Sequence, residues 1–283
     1  MSTMADLPSF TRILLVTDLS DCSEGAIPFA RLLAEDYGAT VFVAHVIPDV
    51  GATTAAAIEA GPDAGSAEAQ MRKFLAGNAL GDVLVETIIA RGPVADALAR
   101  VIQEKRIDLV VVGTHGRSGV GKLLLGSVAQ RIFNVAPCPV LSVSPRARKP
   151  SRTAEKFATI LYPTDFSEDS LKALPYALSL ARIRGSELVL LHATSELPQH
   201  EVLQEYYRRL NALIPPEART WCKSDALVIT GTPAEVILKA ASEQNADFIV
   251  IGAHRAQGTF SVPLTTAYQV VAHAHCPVLR VRS

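Results

Sequence analysis

A glycine-rich segment from Gly113 to Ser127, with the sequence GTHGRSGVGKLLLGS, has the residue types and spacing best suited to ligand chemistry. It follows the apolar run Leu109–Val112, which predicts a buried strand, and it leads into a helical pattern. Glycine lets a backbone approach a ligand closely, and a helix start offers unpaired N–H groups and a positive dipole end. The segment therefore predicts a phosphate-binding loop.

Two familiar phosphate-binding motifs fit this loop poorly. Residues 116–122 match the Walker A pattern up to its lysine, but Leu123 stands where a Ser or Thr would ligate Mg²⁺. The dinucleotide pattern G-x-G-x-x-G belongs after the first strand of its unit, where this chain has TDLSDCSE, without glycine. Both motifs are therefore disfavoured.

The chain contains two copies of one pattern. Asp18 matches Asp165 at an offset of 147 residues, and the CPVL segment at residues 138–141 recurs near the C-terminus. Each copy has the length of an ordinary domain, and a polar, basic, proline-containing stretch separates them. We predict two domains and a linker, at residues 1–146, 157–283 and 147–156.

Strands alternate with helices in each copy, which predicts two tandem doubly wound α/β domains. Each is expected to be a five-stranded, mostly parallel sheet with helices on both faces, because the inner strands are nearly continuous apolar runs. The pattern predicts a first strand over Arg12–Thr17 and a single helix over Ser23–Tyr37. Ligands of such sheets bind beyond the carboxyl ends of the strands, so neighbouring first and fourth strands would bring Asp18 and Gly113 to one cleft.

Composition excludes several classes of protein. The formal net charge is −1 and 49% of residues are hydrophobic, so no bulk charge attracts nucleic acid or an anionic membrane. No apolar run approaches the ~20 residues that a membrane-spanning helix needs. The four cysteines are scattered and the N-terminus lacks a signal-peptide pattern. We expect a cytoplasmic protein without nucleic-acid or membrane partners.

Taken together, these segments resemble the universal stress protein family in its tandem two-domain form. The resemblance is carried by the TDLS turn at Thr17–Ser20, the strand end at His45-Val46, the closing CPVL, and the pattern Gly113-x₂-Gly116-x₉-Gly126-Ser127. It implies an adenine nucleotide alpha hydrolase-like fold with strand order 3-2-1-4-5. Because this loop pattern marks the ATP-binding branch of the family, the resemblance also implies that the first domain binds ATP, with Mg²⁺ left open as a companion.

The resemblance implies a role for each part of the first-domain site. Adenine would lie at Asp18 and the nearby backbone, and the glycine backbone would follow the ribose and phosphates. The helix start would bind phosphate oxygens. The predicted nucleotide-binding residues are Val16, Thr17, Asp18, Val46, Val112, Gly113, Gly116, Arg117, Gly126, Ser127 and Val128. Two alternatives stay open: Asp18 could only cap the following helix, and Arg117 could be a solvent-facing charge.

The second copy departs from this pattern. Its loop, residues 252–266, has Arg255 and Thr265 in place of two of the glycines. A side chain there would occupy space meant for the ligand, and a non-glycine would have to adopt the conformation of Gly126. We therefore predict that the second domain does not bind ATP, although it keeps Asp165.

The histidines do not indicate a metal or catalytic centre. His45 and His192 recur at equivalent strand ends, and we expect them to be structural. His273, His275 and Cys276 supply three donors, whereas a zinc site needs about four, so no metal is predicted. No nucleophile–His–acid pattern is visible either, so an enzymatic role is at most that of a slow ATPase.

These observations predict a stress-response regulatory protein that binds ATP in its first domain. Two alternatives remain: a nucleotide-free binding or scaffold module of the same fold, and a slow ATPase or self-phosphorylating switch. The apolar fifth strands, Pro139–Val143 and Pro277–Val281, should cover each other as an internal pseudo-dimer, because an apolar sheet edge needs cover. A homodimer of chains also stays open.

Overall fold

The computed structural model describes residues 7–48, 64–77, 80–114, 126–148, 159–253 and 265–282. Two compact units make up the chain. One spans Phe10–Val140, and the other comprises the described residues of Leu141–Ser283 together with Leu7–Ser9. The last three residues of the first repeat's fifth strand thus belong to the second unit, where the Ser144 hydroxyl donates to the carbonyl oxygen of Ala274 at 2.8 Å.

Strands and helices alternate through both repeats. The first repeat contains β1 (Arg12–Val16), α1 (Asp21–Glu24), α2 (Ile27–Tyr37), β2 (Thr40–Ile47), α3 (Ala64–Gly77), β3 (Val85–Arg91), α4 (Val94–Glu104), β4 (Leu109–Gly113), α5 (Ser127–Val135) and β5 (Val140–Val143). The second contains β6 (Thr159–Pro163), α6 (Glu168–Arg184), β7 (Glu187–Thr194), α7 (His200–Ala212), a 3₁₀ turn (Ala218–Thr220), β8 (Ser224–Thr230), α8 (Pro233–Glu243), β9 (Phe248–Ala253), α9 (Thr266–His273) and β10 (Val278–Arg282).

The strand order of the first repeat is β3-β2-β1-β4-β5, so the predicted order 3-2-1-4-5 is confirmed. The second repeat has the equivalent order, β8-β7-β6-β9-β10. The pairs β1–β2, β1–β4, β6–β7 and β6–β9 are parallel. The central strands are buried along almost their whole length, as expected for a sheet covered by helices on both faces.

The single helix predicted over Ser23–Tyr37 is wrong, because the chain forms two helices with a turn at Gly25. Pro28 lies in the first turn of α2, where its missing N–H costs nothing, but further inside a helix it would break a hydrogen bond. The second repeat has Lys172 in place of Gly25, and α6 there runs unbroken through Pro175. Glycine's low helix propensity added to proline therefore explains the break.

Several residues repeated in the sequence have a structural purpose in both copies. Gly38 and Gly185 end their helices with left-handed φ angles of 66° and 61°, which favour glycine. Asp108 accepts from the backbone N–H of Thr11 at 2.8 Å, and Asp247 accepts from that of Thr159 at 3.2 Å. Each aspartate lies just before the fourth strand of its repeat and binds the backbone at the start of the central strand. The recurrence of this residue is therefore explained by folding.

Candidate functional site

Strand register brings the two predicted loops of the first repeat to one edge of the sheet. Val16 of β1 pairs with Val112 of β4 and with Ala44 of β2. Gly113 is the last residue of β4 and Asp18 lies two residues beyond the end of β1, so both are at the carboxyl ends of adjacent strands. The condition for a shared cleft, that strands one and four are neighbours, is therefore met.

The predicted residues differ in what they can offer a ligand. Asp18, Gly113, Gly126 and Val128 are partly exposed. Four more have buried side chains, so only their backbone groups could contact a ligand: Val16, Thr17, Val46 and Val112. Gly116 and Arg117 lie outside the described residues. The backbone of Ser127 begins α5.

The turn after β1 is held by its own side chains. The Thr17 hydroxyl is 2.7 Å from that of Ser23 and accepts from the N–H of Leu19 at 2.9 Å. One Asp18 carboxylate oxygen accepts from the Ser20 N–H at 3.1 Å and from its hydroxyl at 2.5 Å. Ser20, not Asp18, is the N-cap residue of α1. Asp18 therefore braces the turn, and the alternative in which it is the helix cap is not supported.

The same turn recurs after β6. Asp165 accepts from the N–H of Ser167 at 2.9 Å and from its hydroxyl at 2.5 Å. Phe166 has φ 62°, and its counterpart Leu19 has φ 61°. Because both repeats build this turn identically, it does not by itself distinguish a binding repeat from a non-binding one.

The histidine of each repeat holds that turn in place. The Nδ1 atom of His45 lies 3.0 Å from the carbonyl oxygen of Thr17, and that of His192 lies 2.9 Å from the carbonyl oxygen of Thr164. The expectation that both histidines are structural is confirmed. The ring of His192 also contacts those of Phe166 and Tyr206, with centroids 4.7 and 4.5 Å away.

The two repeats differ at the helix that follows the fourth strand. In the first repeat, the N–H of Gly126 donates to the carbonyl oxygen of Thr114 at 2.7 Å, which joins the two ends of the glycine segment. Gly126 is the N-cap of α5, and no side-chain hydrogen bond caps that helix. In the second repeat the N-cap of α9 is Thr265, whose hydroxyl accepts from the N–H of Tyr268 at 3.3 Å.

The conformation of the N-cap does not require glycine. Gly126 has φ −56° and ψ 148°, and Thr265 has φ −65° and ψ 150°. Any residue adopts these angles, so Thr265 takes the conformation of Gly126 without strain. The effect of threonine at this position comes instead from its side chain, which occupies space and itself satisfies an N–H of the helix.

Sequence reasoning missed a cavity of about 380 Å³ in the second repeat. It lies beyond the ends of β6, β7 and β9, beside the starts of α8 and α9. Its lining includes Asp165, Ser167, Asp169, Leu191, Pro233, Ile237, Ile251, Gly252, Thr265 and Thr266. The sequence contains one indication of this difference between the repeats: Asp169 aligns with Cys22, so the second repeat has a charged residue beside the turn where the first has a cysteine.

Charge and burial set the state of the ionisable groups. Burial raises the pKa of Asp165, but hydrogen bonds from Ser167 outweigh it and hold the pKa below its usual value. Burial also raises the pKa of the Cys138 and Cys276 thiols to about 12. Asp165 is therefore an anion at neutral pH, and both thiols stay protonated.

The described residues contain neither a cluster of metal ligands nor a helix that could span a membrane. Within the described ranges, no three His, Cys, Asp or Glu residues are grouped as metal ligands. His273 instead contacts the carbonyl oxygen of Gln269 through Nδ1, at 2.8 Å. No described helix combines the length and apolar character needed to cross a bilayer.

Fold and site together define a class: tandem doubly wound α/β proteins in which the first and fourth strands of a repeat place their loops at one cleft. The chain belongs to the universal stress protein family, whose model matches residues 9–144 and 156–282. Both repeats are matched, so the tandem two-domain form predicted from the sequence is confirmed.

Known proteins similar to this chain carry the same family name. Universal stress protein MJ0531 of Methanocaldococcus jannaschii is 32% identical over 139 residues, covering 47% of this chain and 82% of that protein. A universal stress protein of Mycolicibacterium smegmatis is 27% identical over 292 residues, covering 95% and 96%. The crystal structure of a universal stress protein from Archaeoglobus fulgidus shares the fold, with a TM-score of 0.76 over 97% of each chain at 22% identity.

Proposed function

We propose that the first repeat binds ATP as a regulatory ligand and that the protein is a nucleotide-responsive stress-response regulator of the cytoplasm. The observation that carries this proposal is the glycine N-cap of α5. It stands at the carboxyl edge of the sheet, in the repeat whose loop keeps its glycines.

The start of α5 supplies the phosphate end of the proposed site. The N–H groups in the first turn of a helix have no intrahelical acceptor, and the dipole adds positive potential there. Gly126 brings no side chain that would compete for these groups, and its hydrogen bond to Thr114 keeps the helix start beside the end of β4. Phosphate oxygens can accept from the N–H groups of Ser127 and Val128.

The turn after β1 supplies the adenine end. Asp18 is partly exposed at the sheet edge, and its carboxylate position is fixed by Ser20. A carboxylate can accept from the exocyclic amine of adenine. The neighbouring Val16 and Val46 present backbone groups, since their side chains are buried. A rigid turn of this kind costs little ordering when a ligand binds.

A regulatory role fits better than an enzymatic one. In the described part of the chain, the histidine nearest the site, His45, is already committed to the Thr17 carbonyl oxygen. This contact orients the ring, and the sequence shows no nucleophile–His–acid pattern that would make it a catalytic base. ATP turnover and a Mg²⁺ companion stay predictions. Binding would act by shifting the protein between nucleotide-loaded and empty states.

The experiment that tests the proposal is calorimetric titration of the full chain, freed of bound nucleotide, with ATP. We expect one ATP per chain. The Gly126→Thr variant, which installs the cap of the second repeat, should bind ATP about tenfold more weakly. A charge-assisted hydrogen bond contributes about 1.5–3 kcal/mol, and about 1.4 kcal/mol corresponds to a factor of ten.

The matched control is Thr265→Gly, the reverse exchange in the second repeat. It should leave both the affinity and the stoichiometry of ATP binding as in the wild type. Undiminished binding by Gly126→Thr, or two ATP per chain, would contradict the proposal. A wild-type chain that binds no ATP would favour the nucleotide-free scaffold instead.

A further inference from the structure

Strand β3 forms one edge of the sheet of the first repeat, and much of it is open to solvent. Among the described residues it pairs with β2 alone, and no described strand lies beyond it. Val85, Glu86 and Thr87 are exposed in succession, and Leu84, just before them, is 73% exposed. An open sheet edge offers a row of backbone groups to which another strand can bind.

The hydrogen bonds to β2 show which backbone groups of β3 face outwards. The carbonyl oxygen of Leu84 accepts from the N–H of Val41 at 2.9 Å, and the N–H of Gly92 donates to the carbonyl oxygen of Ile47 at 3.1 Å. Because successive residues of a strand point their backbone groups to opposite sides, the even-numbered residues from 84 to 92 face β2. The odd-numbered residues therefore present their N–H and C=O groups along the open edge: Val85, Thr87, Ile89 and Arg91.

Most of these outward groups have no partner in the described chain. The carbonyl oxygen of Arg91 accepts from the guanidinium of Arg100 at 3.3 Å, which agrees with its outward direction. No described residue pairs with the outward groups of Val85, Thr87 or Ile89. An added strand would therefore satisfy donors and acceptors that are otherwise left to solvent.

The equivalent edge of the second repeat, strand β8, is better protected. Lys223 and Gly231 bind β7 through their backbone, so the even-numbered residues of β8 face outwards. The outward N–H of Ala226 donates to the Asp225 carboxylate at 2.8 Å, so a side chain of the strand itself covers that donor. Of the seven residues of β8, all of them described, only Asp225 and Thr230 are exposed. The open edge is thus a property of the first repeat.

The sequence of β3 fits an antiparallel pairing with a second copy of itself. A two-fold axis at Ile88 would place Thr87 opposite Ile89 and Val85 opposite Arg91, and all four of these residues face outwards. Each such pair can exchange two N–H···O=C bonds. Thr87 and Ile89 are β-branched, which suits a cross-strand pair on a pleated surface.

Other positions of the axis fit less well. With the axis at Ile88, Glu86 lies opposite Ala90, so no like charges are opposed. An axis at Glu86 would set that carboxylate against its own copy. An axis at Ile89 would set Val85 against Pro93, which has no N–H. Moving the axis in either direction also shortens the overlap between the two strands.

We propose that two copies of the chain associate through their β3 edges, antiparallel and with the two-fold axis at Ile88. The same surface of each copy forms the contact, as in most symmetric dimers. The dimer continues the sheet of the first repeat from one chain into the next and covers the exposed edge at Val85 and Thr87. This inference does not rest on nucleotide binding by either repeat.

The first test is sedimentation equilibrium of the full chain over a series of protein concentrations, where we expect a monomer–dimer equilibrium. Thr87→Pro removes an outward N–H without removing a bond to β2, and proline is tolerated in this position on an edge strand. It should raise the dissociation constant of the dimer at least about tenfold, because each copy loses a hydrogen bond to the other. The matched control is Ala226→Pro, which changes the equivalent residue of β8 and should leave the dimer as in the wild type.

Disulfide trapping tests the register without depending on the proline variant. Ile88 lies opposite its own copy in a non-hydrogen-bonded pair, whose Cα atoms would be about 4.5 Å apart. A disulfide spans such a distance. Under mild oxidation, Ile88→Cys should therefore give a cross-linked dimer on a non-reducing gel. Ala90→Cys, two residues from the axis, should not.

A chain that stays monomeric at the highest concentration overturns the proposal. A dimer that forms equally well with Thr87→Pro also overturns it, and so does equal cross-linking of Ile88→Cys and Ala90→Cys, because association would then use another surface or register. Thermal melts of the proline variants check that they are folded.

Discussion

The backbone N–H of Gly126 donates to the carbonyl oxygen of Thr114 at 2.7 Å, so the residues on either side of residues 115–125 are held together at one point. That point is fixed at the sheet edge, because Val112 pairs with Val16 immediately before it. The start of α5 and the turn at Asp18 consequently share one edge. This short hydrogen bond brings the two ends of the glycine segment together at the candidate site.

The Gly126→Thr exchange should stabilise the protein while it weakens ATP binding. A Thr N-cap is better than Gly by a few tenths of a kcal/mol, because its hydroxyl satisfies a first-turn N–H. The backbone angles of Gly126 already suit Thr. Urea unfolding without nucleotide should show a rise of about 0.3 kcal/mol in the free energy of unfolding. Thr265→Gly should lower it by a similar amount. A loss above about 1 kcal/mol for Gly126→Thr would contradict this account of the cap.

The Gly252→Ala substitution should destabilise the second repeat. Its Cβ would lie 2.2 Å from a backbone oxygen that cannot rotate away, and such overpacking costs about 1–3 kcal/mol. Chemical denaturation measures the loss. The control is Gly77→Ala, in helix α3, where an added Cβ meets nothing within 4 Å. That variant should be neutral or gain up to about 1 kcal/mol from helix propensity. Equal stability of the two variants would rule out the close contact.

Asp165 should contribute to the acid sensitivity of the fold. Its pKa in the folded chain is below its usual value, because hydrogen bonds from Ser167 outweigh burial. The stabilisation is therefore present above the unfolded pKa and is lost as the pH falls through the folded pKa. The free-energy gap between wild type and Asp165→Asn should shrink as the pH falls from about 6 to about 3. The exposed Glu196→Gln serves as the charge-matched control. A gap that stays constant with pH would contradict the prediction.

The Cys-Pro thiols should react slowly in the folded chain. Burial raises the pKa of Cys138 and Cys276 to about 12, so thiolate forms only well above neutral pH. Thiolate is the nucleophile in alkylation. Peptide-level mass spectrometry after iodoacetamide treatment at about pH 8 should find both cysteines far less modified than in the urea-unfolded chain. Modification at the unfolded rate would show that either segment opens readily.

The fold was largely predictable because it rests on local patterns. Apolar runs alternating with helical periodicity predicted the strands and the parallel sheet, and the internal repeat predicted the tandem form. The break at Gly25 was missed because Pro28 has a counterpart, Pro175, inside an unbroken helix. Periodicity alone cannot show whether a proline starts a helix or lies within one. The neighbouring glycine decides it.

The candidate site could be predicted from the sequence only in part. The types and spacing of Asp18, Gly113 and Gly126 were readable from the chain, and so was the loss of glycines in the second copy. The sequence could not show that Gly126 has an ordinary backbone conformation, or that Gly252 is retained for contact with Asp169. Because glycine lacks a side chain, its position in the sequence does not show why it is there. It can be needed for its backbone conformation or for close packing, or it can face open space.

By itself, then, the amino-acid sequence determined the two repeats, the alternation of strands with helices and the unequal loops, because these follow from local composition and spacing. The family and the strand order were implied by the resemblance to universal stress proteins. Tertiary structure decided which helix starts are already capped and where a cavity forms. Those properties depend on atoms brought together from strands and helices far apart in the chain: Asp165 and Leu191 come to line one cavity only when β6 and β7 pair.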